Sequence, residues 1–217
     1  FQVVGATTTL LSEKQIGDSI EDFVGPLGNP TKTQGYQKVA VVGGGVGCAI
    51  AYPVAKALQE NGAKVHSVVG FRSKDLVILE DAFKTVSEKY VLMSDDGSAG
   101  EKGLVTDALE KLIQSGEQYD LVIAIGPLIM MKFVCKLTEK YNIHTIVSMN
   151  PIMIDGTGMC GGCRLRVGGE TKFACVDGPD FDGHLVDFDA AMERAAMYKS
   201  FEREAQCNLL NAEVQDK

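Results

Sequence analysis

Cys160, Cys163 and Cys175 fall at C-x2-C-x11-C, and Asp155 stands five positions ahead of the first of them in the run D-G-T-G-M-C-G-G-C. Thiols at this spacing are candidate ligands for iron or zinc, and their neighbours weigh between the two metals. The C-x4-C-x2-C…C pattern that holds a plant-type [2Fe–2S] centre is kept here, with Asp155 in the place of the first cysteine. Gly156, Gly158, Gly161 and Gly162 suit a loop that must turn backbone N–H groups toward sulfide, which needs positive φ and close backbone approach. A structural zinc usually draws its other two ligands from a second close pair, whereas Cys175 stands alone and aspartate is an uncommon zinc ligand. These residues point first to a [2Fe–2S] centre held by Asp155, Cys160, Cys163 and Cys175. A zinc clip and a metal-free loop are the alternatives, and Asp155 is the member that could instead be a solvated loop acid.

A centre of this kind carries single electrons, so other elements must bring it something to carry. From Val39 the chain reads V-A-V-V-G-G-G-V-G-C, a β-branched run that ends in glycines, followed by an amphipathic helix stopped at Asn61-Gly62. Strand, glycine turn and helix together let a backbone approach a phosphate at a helix N-terminus, although tight βα turns also use glycine structurally. The alternation then repeats. Residues 63–69 read as a strand, 76–89 as a helix, 90–93 as a strand, 105–115 as a helix, 120–125 as a strand before a Met-rich helix, and 143–149 as a strand. Such alternation predicts an α/β fold with a mostly parallel, doubly wound sheet whose ligands lie at the carboxyl ends of the strands. The loops falling there are 43–47, 70–75, 95–103, 126–130 and 150–155. No acid stands about twenty residues past the glycines to grip a ribose, so the standard dinucleotide fingerprint is absent.

With 217 residues and 45% hydrophobic content the chain can bury one substantial core with a small appended module. A net charge of −8 argues against nucleic acid and anionic membrane surfaces as partners. No run reaches membrane-spanning length and no signal peptide opens the chain. Phe1 is not methionine and F-Q-V-V-G reads as mid-strand, so the chain is expected to be a fragment. Six cysteines are too few for a secreted disulfide scaffold, which places the protein in a reducing compartment, the cytoplasm. Cys48, Cys135 and Cys207 are expected to be packed or free thiols. His66, His144 and His184 lie far apart with no acid partner in sequence, so no catalytic triad is expected.

The order of these motifs resembles the ferredoxin–NADP reductase-like flavoproteins. Within them it is similar to the iron–sulfur electron-transfer subunits: the small subunit of NADH-dependent reduced ferredoxin:NADP oxidoreductase, or sulfide dehydrogenase, and the electron-transfer subunit of dihydroorotate dehydrogenase. V-G-A-T-T-T-L-L looks like the segment contacting the FAD pyrophosphate, which implies roles for Gly5, Ala6, Thr7 and Thr8. G-P-L-G-N-P matches the turn that ends the flavin barrel. The resemblance implies a pyridine-nucleotide site at Gly43, Gly44, Gly45, Val46 and Gly47 with Gly126, Pro127 and Met130, although a Met-rich helix is more often core. The dihydroorotate dehydrogenase subunits usually carry cysteine where this chain has Asp155, and the Asp variant is associated with the ferredoxin:NADP oxidoreductase type. The ribose 2′ position should lie near Asp95 and Asp96, whose carboxylates would repel a 2′-phosphate, or else form only a turn. NAD(H) is therefore expected in preference to NADP(H), with Arg72 and Lys74 arguing the other way.

The implied organisation is a truncated end of a flavin-binding β-barrel (1–34), a pyridine-nucleotide domain (35–149), a [2Fe–2S] module (150–186) and a C-terminal helix and tail (187–217). Asp187 or Asp189 is expected to cap that helix. The implied activity moves electrons between NAD(P)H, FAD and a [2Fe–2S] cluster to a larger flavin and iron–sulfur partner subunit, with ferredoxin a further candidate partner. The contrasting class is a non-enzymatic zinc- or nucleotide-binding regulatory module.

Overall fold

The structure, a computed structural model, describes residues 1–215, with side chains through residue 209. Its frame is a seven-stranded sheet in the order β4-β3-β2-β1-β5-β6-β9. The strands are β1 (Lys38–Gly44), β2 (Lys64–Phe71), β3 (Lys89–Ser94), β4 (Glu101–Lys102), β5 (Leu121–Ile125), β6 (Thr145–Ser148) and β9 (Asp180–Asp182). All neighbours run parallel except β9, which is antiparallel to β6. A parallel sheet covered on both faces requires strands that are apolar on both sides, and β1 and β5 are buried nearly throughout.

The pleat sorts these residues between two cores. Val39 and Val41 join Leu58 and Phe83 beneath α2 (Cys48–Glu60) and α3 (Glu80–Val86). Ala40 and Val42 face α4 (Val105–Gln114) and α5 (Leu128–Lys140) on the other side, with Leu109 and Val134. This second core continues into Cys163, Leu165, Val167, Cys175, Phe181 and Phe188. The cysteine segment, with its hairpin β7 (Arg164–Val167) and β8 (Glu170–Phe173), thus shares a core with the sheet and supplies its edge strand β9.

Several expectations are corrected. Residues 1–5 are not a strand, and α1 (Ala6–Ser12) follows them. None of its residues is buried, and α7 (Lys199–Gln215) lies against it. The helix expected over 76–89 is shorter. A 3-10 turn occupies Lys74–Leu76, Leu79 sits at φ 57°, and only Glu80–Val86 is α-helical. Lys89 already belongs to β3, because its backbone pairs with β2 at His66. The C-terminal stretch is two helices, α6 (Phe188–Ala196) and α7. Asp187 caps α6 by accepting from the Ala190 N–H at 3.0 Å, while Asp189 pairs with Lys132 at 2.5 Å. His66 is fully buried and bonds Tyr119 through Nδ1 at 2.9 Å, a packing role. Among the described residues no helix is long and apolar enough to cross a membrane.

Candidate functional site

β2 leaves β1 on one side and β5 adjoins it on the other, so chain order reverses at β1/β5 and opens a crevice at their carboxyl ends. Gly43 and Gly44 end β1, and Gly45–Gly47 forms a 3-10 turn into α2. A Cβ at Gly47 would lie 2.7 Å from the Ile125 carbonyl oxygen and 2.8 Å from Gly126 Cα, backbone atoms that cannot step aside. A Cβ at Gly126 would come 3.1 Å from the Gly44 backbone. Two strand ends therefore meet here at a distance only glycine permits, and the crevice floor is bare backbone. Val46 is half exposed at the lip, Pro127 precedes α5, and Met130 packs over Gly44 and Gly126. Gly43, Gly44, Gly45, Val46, Gly47, Gly126, Pro127 and Met130 are thus brought together, and Met131 is fully buried core. Cys48, first in α2, is fully buried, and burial pushes its thiol up to about 12.

Asp95 and Asp96 lie on the same edge, two strands away. The Asp95 N–H donates to Phe71 O at 3.1 Å and the Asp96 N–H to Arg72 O at 3.3 Å, which bind the loop to the end of β2. The Asp96 carboxylate accepts from the Ser98 hydroxyl at 2.7 Å and from the Ser98 N–H at 2.9 Å. The Ser98 hydroxyl and amide hold its pKa below the usual carboxylate range. Asp96 therefore organises a turn, while Asp95 has its side chain in solvent.

The cysteine loop is built on polar contacts. Gly156, Gly158 and Gly161 take φ of 74°, 82° and 66°. The Gly162 N–H donates to Cys160 Sγ at 3.3 Å, and the Cys175 N–H to Cys163 Sγ at 3.4 Å. Backbone amides are thereby turned toward both sulfurs, as they are around a metal-bound sulfur. Cys163 and Cys175 are buried with their sulfurs 3.2 Å apart, while Cys160 is exposed. Burial, then Cys163, and also the Asp155 charge, raise the Cys175 thiol. The carboxylate of Asp155 is already engaged. Its Oδ1 accepts from the Thr157 N–H at 2.9 Å and its Oδ2 from the Cys160 N–H at 3.0 Å, which depress its pKa. Among the described residues no three His, Cys, Asp or Glu side chains converge on one ion-sized point. Soft sulfurs with backbone amides turned toward them are a donor set that an iron–sulfur centre takes.

At the other end of the chain, the Thr8 hydroxyl accepts from the Val4 and Gly5 N–H groups at 3.0 and 3.1 Å at the start of α1, with Ala6 and Thr7 in its first turn. A contact that sequence reasoning missed joins residues 25–30 to the cysteine loop. The Asn29 N–H donates to Gly178 O at 2.6 Å, and its side-chain amide donates to the Val176 and Asp177 carbonyls, both at 3.1 Å. Leu27 rests against Gly156. The G-P-L-G-N-P turn marked this loop as special, but nothing in the sequence names its partner.

Residues 150–187 match the iron–sulfur cluster binding domain of dihydroorotate dehydrogenase B, and residues 41–136 match the oxidoreductase NAD-binding domain. The chain is 52% identical over 202 residues to the dihydroorotate dehydrogenase B (NAD(+)) electron transfer subunit homolog of Thermotoga maritima, covering 93% of this chain and 71% of that protein. It is 38% identical to the corresponding electron transfer subunit of Bacillus caldolyticus, covering 83% of this chain and 70% of that protein. A solved structure of an NADH-dependent reduced ferredoxin–NADP oxidoreductase superposes with a TM-score of 0.90 at 47% identity, over 97% of this chain and 75% of that one. Strand order, glycine crevice and cysteine loop agree with these likenesses, and the chain belongs to the family of iron–sulfur electron-transfer subunits that includes those of dihydroorotate dehydrogenase B.

Proposed function

We propose that this chain takes electrons from NADH and delivers them one at a time, through a [2Fe–2S] cluster and with FAD as the go-between, to a larger oxidoreductase subunit. When bound, the flavin accepts a hydride and the cluster carries single electrons, which is the conversion between two- and one-electron chemistry. The chain's own residues position these groups. Gly43–Gly47 and Gly126 offer bare backbone to a pyridine nucleotide, and Pro127 and Met130 wall its outer end. Gly5, Ala6, Thr7 and Thr8 offer the first turn of α1 to the flavin pyrophosphate. Cys160, Cys163 and Cys175 supply three sulfurs, with Asp155 as the fourth ligand. The contact of Asn29 with the Val176–Gly178 backbone holds the flavin side of the chain against the cluster loop.

The single observation that carries this reading is the pair of backbone N–H groups donating to Cys160 and Cys163, within a segment that matches an iron–sulfur domain. Identity does not separate the two partner assignments, at 47% to the ferredoxin–NADP oxidoreductase and 52% to the Thermotoga maritima subunit homolog; Asp155, standing where dihydroorotate dehydrogenase subunits usually carry cysteine, supports the ferredoxin–NADP oxidoreductase type. The buried free thiols Cys48 and Cys135 accord with a reducing cytoplasmic setting.

The test is metal analysis and a visible spectrum on protein purified without oxygen, together with Asp155→Cys. The expected result is about two irons per chain and red-brown colour, with the variant keeping a cluster of altered spectrum and potential. Colourless protein holding one zinc would overturn the reading. An Asp155→Cys variant identical in spectrum and potential would remove Asp155 from the ligand set alone.

A further inference from the structure

The turn at residues 25–30 reaches the cysteine segment near both ends of the ligand set. Leu27 lies against Gly156, next to Asp155, where an added Cβ would stand 2.8 Å from a Leu27 methyl carbon. Gly28 takes φ 69°, and a Cβ there would collide with the Gly178 carbonyl oxygen, so the two backbones meet as closely as glycine allows. Asn29 carries one backbone and two side-chain N–H donors. They meet three successive carbonyls, those of Val176, Asp177 and Gly178, just past Cys175.

The same stretch is tied from within the loop as well. The Val176 and Asp177 N–H groups donate to Phe173 O at 3.0 and 2.7 Å, and the Asp177 carboxylate accepts from the Phe173 N–H at 2.7 Å. The Cys175 N–H donates to Cys163 Sγ. Residues 175–177 thus have their N–H groups engaged within the loop, while the carbonyls that follow Cys175 are committed to Asn29. Cys175 is fixed between the two sets of bonds. It is buried, whereas Asn29 is exposed and belongs to neither core. The Asn29 amide can therefore act on the cysteine without being needed for the fold.

Building on the [2Fe–2S] reading of the cysteine loop, we propose that Asn29 is a positioning residue for Cys175 and through it tunes the reduction potential of the centre. That potential follows the dipoles around the sulfurs: amide N–H groups favour the reduced, more negative state, and carbonyl oxygens oppose it. With three carbonyls held by Asn29, the dipole that Cys175 turns toward sulfur is its own N–H. Without Asn29 those carbonyls lose their donors, and the stretch after Cys175 is free to reorient.

Asn29→Ala in the whole protein, purified without oxygen, tests this role. The variant should keep iron and colour and melt near the unmodified protein. Its midpoint potential should move to more negative values, and the electron paramagnetic resonance of the reduced centre should change. In protein freed of iron by chelation, amide exchange at Cys175, Val176 and Asp177 should speed roughly tenfold, the scale of one lost hydrogen bond, with β1 and β5 unaffected. An iron-loaded variant of unchanged potential and resonance would overturn the role of Asn29 and leave the cluster reading intact, whatever the exchange rates. If the variant holds no iron, exchange decides, and unchanged rates at those three amides would overturn the role. Colourless unmodified protein would overturn both, since there would be no centre to position.

Discussion

The crevice at β1/β5 and the loop around Cys160 lie on one molecule but are held by different forces. The crevice floor belongs to strands that are buried on both faces and bonded to neighbours along their length, so its shape follows from packing. The cysteine loop is held by polar contacts through Asp155, Gly162 and Cys175, with Asn29 and Arg194 reaching it from outside, and its rim exposes Met153, Ile154 and Met159. One site is shaped by packing, the other by polar contacts within and beside a loop.

Cys163→Ser gives the widest separation between the two regions. It should eliminate iron and visible absorbance, because a buried thiolate position is lost, while NADH affinity stays within about twofold, a change too small to count as loss of a contact. Cys160→Ser should do the same, and retained colour in either variant would remove that residue from the ligand set. Gly47→Ala is the converse. Its new Cβ presses on the Ile125 carbonyl and should cost about 1–3 kcal/mol in urea unfolding, with NADH binding lost and iron content kept. Equal loss of iron in that variant would mean that the two regions are not independent.

A smaller effect is expected at the edge of the crevice. Asp95→Ser combined with Asp96→Arg should shift the NADH-to-NADPH preference by roughly tenfold, the scale of one charge-assisted hydrogen bond. Binding titrations in which the unmodified protein already favours NADPH would refute the underlying preference. The smallest effect belongs to the opposite end of the sheet. Lys38, at 2.7 Å, and Lys89 hold the Glu117 carboxylate down at about 2. A depressed folded-state pKa stabilises above the ordinary glutamate range and is lost as pH falls through about 2. Urea midpoints measured from pH 5 downward should therefore fall less steeply in Glu117→Gln than in the unmodified protein. Parallel slopes would show that the lysine contacts contribute nothing.

The parallel sheet was readable because β-branched runs ending in glycine, each followed by an amphipathic stretch, leave few other topologies. The crevice residues were readable for the same reason, since close backbone approach demands glycine. β9 was not, because D-F-D is too short to signal a strand and its partner β6 lies far back in the chain. The helix over 76–89 was over-read. Its apolar spacing is real, but Leu79 takes a left-handed conformation that restarts the chain at Glu80. The ligand spacing of the cysteines was plain, whereas the amide bonds to both Asp155 oxygens depend on a loop path that spacing does not record.

The edge strand has a consequence for the order in which the molecule is assembled. β6 cannot receive β9 until the whole stretch from Met149 to Pro179, with all four proposed ligands on it, has doubled back. Closing so long a loop is entropically costly, and cross-linking it from within shortens the span that must be closed. A cluster held by these ligands would therefore favour completion of the sheet. Amide exchange at Phe181, whose backbone pairs with Val147, should slow markedly once iron is present.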